Sequence, residues 1–458
     1  MNSEPQMEVP SGAPKRKGVY IQTFGCQMNE YDSAKLLERL RGENFVPVDS
    51  PREADLILVN TCAIREKAEH KVYSLLGRLG GLKKNRPDLV IGVGGCVSQQ
   101  KSEELARRAP EVDLVFGPDH LFDVPEMLED IAAGGRPVRT GWRHGNERVV
   151  NFIPEFPPGA APVGEIKAGL AITKGCNNFC TFCVVPYTRG REVSREPENI
   201  LAEARAMAAR GVREITLLGQ NVNSYKAAGV TFVELLRRIN VVEGLARIRY
   251  TSPHPKDLGP ELVEAHGELE ALCEHMHLPM QSGSDRILKA MRRNHTIATY
   301  LDKVELLRRR VPGIALSTDI IVGFPGETEA DFEATLEVMR KVRFDQVYAF
   351  KYSPRSDTPA AAMPVQVPEA VRKDRLARIL AFHDETVIES NGNLVGSRQE
   401  VLLEGLHPAG GGAWSGRTRG NKPVLVEATP AQRGDLVPVD IVGARKYSLV
   451  ARMASIES

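Results

Sequence analysis

The run Cys176-x3-Cys180-x2-Cys183, at the end of the apolar segment 169–175, constrains this chain more than any other feature. Cysteine thiolates hold iron–sulfur clusters, and a tight local run on a loop is how a chain wraps one. A four-iron cubane normally takes four thiolates, and here only three lie within reach. One iron is left open to a small chelating ligand, which suits chemistry at the cluster better than electron storage. The rival reading is zinc, whose structural sites close with four ligands in paired clusters. No His or fourth Cys lies within twenty residues of the run.

At 458 residues the chain exceeds one ordinary core, and two to four domains are expected. The net charge of +1 decides nothing about nucleic acid, because binding depends on local patches. The first 17 residues are polar and Pro-rich and do not read as a signal peptide. No apolar stretch approaches the roughly 18 residues needed to span a bilayer. A cytoplasmic protein without membrane contact is the expectation. Seven cysteines, an odd number, in a reducing compartment argue for metal ligation rather than disulfides. Cys273 reads as a buried thiol without a site.

The first 150 residues alternate apolar runs (19–24, 55–60, 89–93) with polar helix-forming stretches (32–41, 65–79, 102–108), the pattern of a parallel sheet with crossover helices. Each run ends in a cysteine: Gly25-Cys26, Thr61-Cys62 and Gly95-Cys96. Strand carboxyl ends of an open parallel sheet share one edge, where ligands bind. Three cysteines far apart in sequence thus converge on one site, read as a second, auxiliary iron–sulfur cluster. The bland alternative is three unrelated core cysteines.

Residues 153–164 have the composition of a linker. Six strand-like runs follow (170–174, 214–218, 247–251, 274–278, 315–322, 346–352), with helical stretches at 198–209, 232–239, 285–292, 299–309 and 331–342. Six βα units fit a partial (β/α)6 barrel with its working loops at the strand carboxyl ends. A doubly wound sheet is the alternative. The first such loop carries Cys176, Cys180 and Cys183. A Pro-rich break at 354–368 leads into a helix over 369–390. The remaining residues switch to short β-type runs (400–403, 423–426, 436–442) separated by glycines, as in a small β-barrel. From Asn391 onward eight Lys or Arg face six acids, and Arg417, Arg419 and Lys422 cluster on one turn. Phosphate contact and a merely solvated turn are evenly matched readings of it.

Taken together, the cysteine run resembles the signature of radical S-adenosylmethionine (SAM) enzymes, and the whole chain resembles the methylthiotransferase family. The carriers are Phe24-Gly-Cys-Gln-Met-Asn-Glu-Tyr-Asp-Ser33, Asn60-Thr-Cys-Ala-Ile-Arg-Glu66, Gly175-Cys-Asn-Asn-Phe-Cys-Thr-Phe-Cys-Val-Val-Pro-Tyr-Thr-Arg-Gly190 and Val193-Ser-Arg195. They are similar to the tRNA-modifying MiaB branch. Asn178 and Arg191 depart slightly from its pattern without touching the ligands. The resemblance implies an α/β fold in four parts: a disordered tail (1–17), an N-terminal domain with the auxiliary cluster (18–150), a radical SAM core with trailing helix (165–390), and a TRAM RNA-binding barrel (391–458).

The resemblance also implies roles. Cys176, Cys180 and Cys183 would hold a 4Fe–4S cluster whose open iron chelates SAM; Cys26, Cys62 and Cys96 would hold the second 4Fe–4S cluster, which carries the sulfur. One SAM would methylate that sulfur, and another would give the radical that takes hydrogen from carbon 2 of N6-isopentenyladenosine beside the tRNA anticodon. Leu218-Gly-Gln-Asn-Val222 occupies the place of the family's loop for the SAM amine. Gly219, Gln220, Asn221, Gln281 and Asp319 are the candidate polar contacts to SAM. His254, His275 and His277 read as structural histidines. The partners implied are the tRNA anticodon stem-loop, a flavodoxin- or ferredoxin-like electron donor and a sulfur source, with a monomer as the simplest assembly. The alternatives are a sister enzyme acting on threonylcarbamoyl-adenosine or a ribosomal protein aspartate, and an iron–sulfur RNA-binding or redox-sensing protein without turnover.

Overall fold

Leu56–Thr61, Leu-Ile-Leu-Val-Asn-Thr, is buried at every position, as a strand covered on both faces of a parallel sheet must be. It is central in a six-stranded sheet ordered Phe45–Pro47, Lys17–Thr23, Leu56–Thr61, Val90–Gly95, Leu114–Phe116, Val138–Arg139. Every pairing is parallel. The helices Gln27–Arg41, Glu66–Asn85 and Cys96–Arg108 cross between strands. This is the open sheet the alternation calls for. The computed structural model describes residues 16–63, 66–142, 164–408 and 410–454, and side chains of residues 66–71 are left aside. Of the linker read at 153–164, all but Gly164 lies outside the described residues, as does nearly all of the tail; Lys17, assigned to the tail, opens the first strand. The chain divides into two units, Met1–Arg143 and His144–Ser458.

The second unit carries six parallel strands in sequence order. Lys167–Ala171, Glu214–Leu218 and Arg247–Tyr250 form one sheet; His275–His277, Ala315–Val322 and Gln346–Lys351 form another. A parallel bridge between Ile248 and Leu272 joins them. Among the described residues the last strand does not pair with the first, so the barrel is partial, and the doubly wound alternative falls away. Sequence reading ran the first strand through to Lys174. Instead it stops at Ala171, and Thr173–Lys174 turns away to pair antiparallel with Val193–Ser194. Helix starts follow their caps: Thr328 and Asp331 close a capping box on Glu329–Val342, and Thr296 and Thr299 do so on Ile297–Arg310.

A closed barrel of Arg398–Leu406, Trp414–Thr418, Pro423–Val426, Leu449–Met453 and Leu436–Ala444 ends the chain, around its own core of Val401, Leu403, Val424, Val439 and Leu449. It seats at the amino ends of the core strands. Arg247, fully buried, donates to the carbonyls of Arg417 (2.8 Å) and Glu400 (3.1 Å) and to Glu400 Oε1 (2.9 Å). Arg249 donates to the carbonyls of Arg419 (2.7 Å) and Thr418 (2.9 Å). Side chains of the same turn reach back: Arg419 Nε to Glu274 Oε2 at 2.6 Å, and Lys422 Nζ to Asp345 Oδ1 at 2.9 Å. Arg417 lies 3.5 Å from Glu404. The turn is therefore not a merely solvated loop: Arg419 and Lys422 are committed to the junction, while the Arg417 side chain keeps 36% of its surface exposed.

Buried histidines make the second unit acid-sensitive. His266, 3% exposed, meets the Tyr250 hydroxyl at 2.7 Å, and burial lowers its pKa from 6.5 to about 4. Between those values the unfolded chain binds a proton that the folded one does not. The contribution is complete above pH 6.5 and lost as pH falls toward 4, by about 3 kcal/mol. Urea unfolding at pH 7.5 and pH 5 is expected to show about 2 kcal/mol of this loss, and His266→Phe to reduce it. An unchanged pH slope in that variant would assign the loss to other groups.

Candidate cluster sites and the barrel mouth

In the first unit the strands Lys17–Thr23, Leu56–Thr61 and Val90–Gly95 are immediate neighbours, which brings their carboxyl ends to one edge. Cys26 caps Gln27–Arg41, Cys62 follows its strand directly, and Cys96 opens Cys96–Arg108. Two of the three thus sit at helix amino termini, whose dipole favours negative charge. Cys62 and Cys96 are buried and Cys26 is half-buried. The approach is tight: a Cβ on Gly25 would lie 2.8 Å from Cys62 Cβ and 2.7 Å from Asn29 Oδ1. Only glycine lets the chain before Cys26 pass that close. A buried amide pair holds the edge from below. Asn29 Nδ2 donates to Asn60 Oδ1 (3.0 Å) and the Thr61 carbonyl (3.1 Å), and Asn60 Nδ2 returns to the Asn29 carbonyl (2.9 Å). Cys26 Sγ donates to Asn29 Oδ1 at 3.3 Å. Fully paired buried amides of this kind fix a geometry rather than merely fill space.

In the second unit the cysteine loop follows the first barrel strand. Gly175 adopts φ +77°, and a Cβ there would lie 2.1 Å from the Arg191 carbonyl. Its N–H donates to Gln220 Oε1 at 2.5 Å, and Cys176 N–H donates to the Gly190 carbonyl at 3.1 Å. Thr181 anchors the far side, with N–H on the Met291 carbonyl (3.1 Å) and hydroxyl on the Ala290 carbonyl (2.9 Å). Cys176 and Cys180 are buried and Cys183 is half-buried. Burial pushes the Cys176 thiol up and the Cys183 thiol up to about 12, with the neighbouring Cys180 adding to the latter. Iron must displace these protons, so metal loading and proton release are coupled.

The donor set tests what this loop can hold. Three soft sulfurs with no nitrogen or oxygen ligand among them match an iron–sulfur cluster. Among the described residues no three His, Cys, Asp or Glu converge on a point for one ion, whereas a cubane spreads its thiolates over separate corners. Just past the carboxyl ends of three core strands lie polar atoms that are buried and unpartnered: Thr173 Oγ1, Asn221 Oδ1 and Gln281 Oε1. Leaving such an atom unsatisfied costs about 1–3 kcal/mol, and each can accept from an amine or hydroxyl of a bound molecule. The residues present therefore fit both groups.

The candidate contacts divide. Asn221 is held by its Nδ2 on Asp257 Oδ2 (2.9 Å), leaving its oxygen free. Gln281 adopts φ +70° and shares the sheet through its N–H on the Asp319 carbonyl (2.8 Å). Asp319 is half-exposed, with His277 Nε2 at 3.5 Å. Gln220, by contrast, uses its carbonyl oxygen on Gly175 and so positions the loop. Gly219 has no room for a side chain, since a Cβ would lie 2.0 Å from Thr173 Oγ1. Burial lowers His254 to about 2 and His275 well below its usual value, so both are neutral. Sequence reading missed Arg293, whose Nη1 lies 3.6 Å from Cys180 Sγ. Nothing in the local sequence singles it out, and only the fold brings it to the cysteine loop.

A partial six-unit barrel with this loop at its mouth is the architecture of a radical SAM protein, and the Radical SAM superfamily model matches residues 170–339. The model of Uncharacterized protein family UPF0004 matches 18–117, and the TRAM domain model matches 393–454. A solved structure of similar fold is the radical S-adenosylmethionine methyltransferase TsrM from Kitasatospora setae with tryptophan substrate and a SAM analogue bound. Its TM-score is 0.57 at 15% identity, covering 84% of this chain and 78% of that one. The tRNA-2-methylthio-N(6)-dimethylallyladenosine synthase of Moorella thermoacetica is 46% identical over 444 residues, 96% of this chain and 98% of the relative. Its counterpart in Acidithiobacillus ferrooxidans is 47% identical over 446 residues, 96% and 97% of the two chains. The chain belongs to the family of tRNA-2-methylthio-N(6)-dimethylallyladenosine synthases. No helix among the described residues is long and apolar enough to cross a membrane.

Proposed function

We propose that this chain is a radical SAM transferase that places a methylthio group on carbon 2 of N6-isopentenyladenosine beside the anticodon of tRNA. The observation that carries the reading is the presence of two separate cysteine triads, each at the carboxyl ends of parallel strands. They stand in a chain that matches its named relatives over nearly its whole length. Cys176, Cys180 and Cys183 hold one 4Fe–4S cluster, and Cys26, Cys62 and Cys96 hold the other. Bound there, the first would supply the electron for reductive cleavage of SAM, and the second would supply the sulfur. An aromatic C–H offers acids and bases no foothold, which is why a cofactor supplies this chemistry while the protein orients the pieces.

The chain's own residues bind and orient. Asn221 and Gln281 accept from the amine and hydroxyl groups of SAM, with Asp319 as a further acceptor. Gln220 and Thr181 hold the cysteine loop rigid from its two sides. The reaction belongs to the cytoplasm, with a flavodoxin- or ferredoxin-like donor and a separate sulfur source. A monomer suffices, since each triad is complete within one chain. The small barrel contacts the tRNA.

Anaerobic reconstitution with iron and sulfide, then incubation with SAM, dithionite and isopentenylated tRNA, tests this. About eight irons per chain and a 2-methylthio adduct in the digested nucleosides are expected. Eight irons with an adduct only on threonylcarbamoylated tRNA would move the chain to the sister substrate. Eight irons with no deoxyadenosine released from SAM would leave an iron–sulfur protein without turnover.

A further inference from the structure

Arg293 follows the short helix Asp285–Ala290 and is 6% exposed. Its Nη2 donates to the Pro279 carbonyl at 3.0 Å, its Nη1 lies 3.6 Å from Cys180 Sγ, and its Nε is buried without a partner. A guanidinium stays charged in any protein, and a buried charge needs an opposite one nearby. Among the described residues Arg293 makes no ion pair with a carboxylate. Its other polar neighbours are His254 and His295, whose rings are 5.9 Å apart. A histidine is neutral or cationic, so neither supplies an anion. Among the described residues the sulfur that its side chain meets is that of Cys180, which becomes anionic once iron displaces the thiol proton.

We infer that Arg293 is the built-in counter-ion of the cluster on Cys176, Cys180 and Cys183, holding Cys180 by an N–H···S contact and raising the cluster's reduction potential. The inference rests on the reading that this triad binds a cluster. Hydrogen bonds to cluster sulfurs and nearby charge both set such potentials. A fixed positive charge favours the state that has gained an electron, and beside an open iron that state is the one that does chemistry. The cluster would in turn supply the anion that buried Arg293 lacks in the metal-free protein. Arg293 is thus a positioning and tuning residue, acting through Cys180 rather than on SAM or RNA.

The test uses the full chain with Cys26, Cys62 and Cys96 changed to alanine, so that one cluster remains. Dithionite supplies the electron, and optical and paramagnetic-resonance titration reads the midpoint. In that parent, Arg293→Met is expected to lower the ratio of reduced to oxidised cluster about tenfold at the parent's midpoint, which is 59 mV for one electron. Arg293→Lys, which keeps the charge, is expected to recover most of it. Without iron, Arg293→Met is expected to unfold no more easily than the parent, since the lost bond to the Pro279 carbonyl is offset by removal of a buried charge with no anion beside it. A folded Arg293→Met chain that no longer retains iron also supports the assignment. An unchanged midpoint overturns it. So does a metal-free Arg293→Met chain that is plainly destabilised, because that makes Arg293 a strut on Pro279. A parent that fails to take up about four irons instead refutes the cluster reading beneath the proposal.

Discussion

Cys180→Ala is expected to abolish both deoxyadenosine formation and methylthio insertion, whereas Cys62→Ala leaves SAM cleavage largely intact and abolishes insertion alone. The contrast follows from where the residues sit. Cys180 lies on the loop between Thr173–Lys174 and Val193–Ser194 in the second unit, with its sulfur beside Arg293. Cys62 lies at the edge of the first unit's sheet, against Gly25 and the Asn29–Asn60 pair. Each triad has three sulfurs, so losing one leaves two, and two donors hold a cluster poorly. Iron counts should fall by about four in either variant, while product analysis separates them. Deoxyadenosine and modified nucleoside are measured in the same reaction. Full modification activity in Cys62→Ala would refute the auxiliary site, and residual deoxyadenosine in Cys180→Ala would refute the assignment of the SAM-cleaving one.

The parts of this molecule that chain order dictates are the parts that sequence reveals. A parallel strand followed by a crossover helix leaves a periodic trace, and a residue just past the strand must lie at the sheet's carboxyl edge. Cys26, Cys62 and Cys96 are such residues, so their convergence is legible without coordinates. Sheet order adds that their strands are direct neighbours. What sequence hides is the meaning of a charge. In Arg247-Ile-Arg-Tyr250 both arginines are buried, which nothing local announces. Arg293 and the Arg417–Lys422 turn are hidden in the same way. Their partners, Cys180, Glu274 and Asp345, are 70 or more residues away, and no local pattern encodes a pairing at that range. Gln220 shows a subtler limit. It falls in the right loop, but whether its amide meets a cosubstrate or the backbone of Gly175 is decided by a 2.5 Å contact.

Arg247→Met is expected to cost about 3–5 kcal/mol and to release the small barrel from the core. The guanidinium is fully buried and donates to the carbonyls of Glu400 and Arg417 and to Glu400 Oε1. Methionine fills the stem but makes none of the three hydrogen bonds that the guanidinium gives the barrel. It also leaves Glu214 facing Arg249 alone, where that ion pair stands at 3.0 Å. The loss should be local in one direction. The barrel keeps its own apolar core, so it should remain folded while its docking fails. Hydrogen exchange read by mass spectrometry should show lost protection in Arg398–Leu406 and Trp414–Thr418 at the junction, with protection retained in Leu449–Met453. Uniform loss across the barrel would mean that it cannot fold undocked, and unchanged exchange would mean that Arg419 and Lys422 fix the junction without Arg247. Function should follow the docking. A barrel that holds tRNA while tethered only by the helix Glu369–Gly392 no longer sets the position of the modified base. Apparent affinity for tRNA and turnover on bound tRNA should then fall together, while SAM cleavage without tRNA stays unchanged.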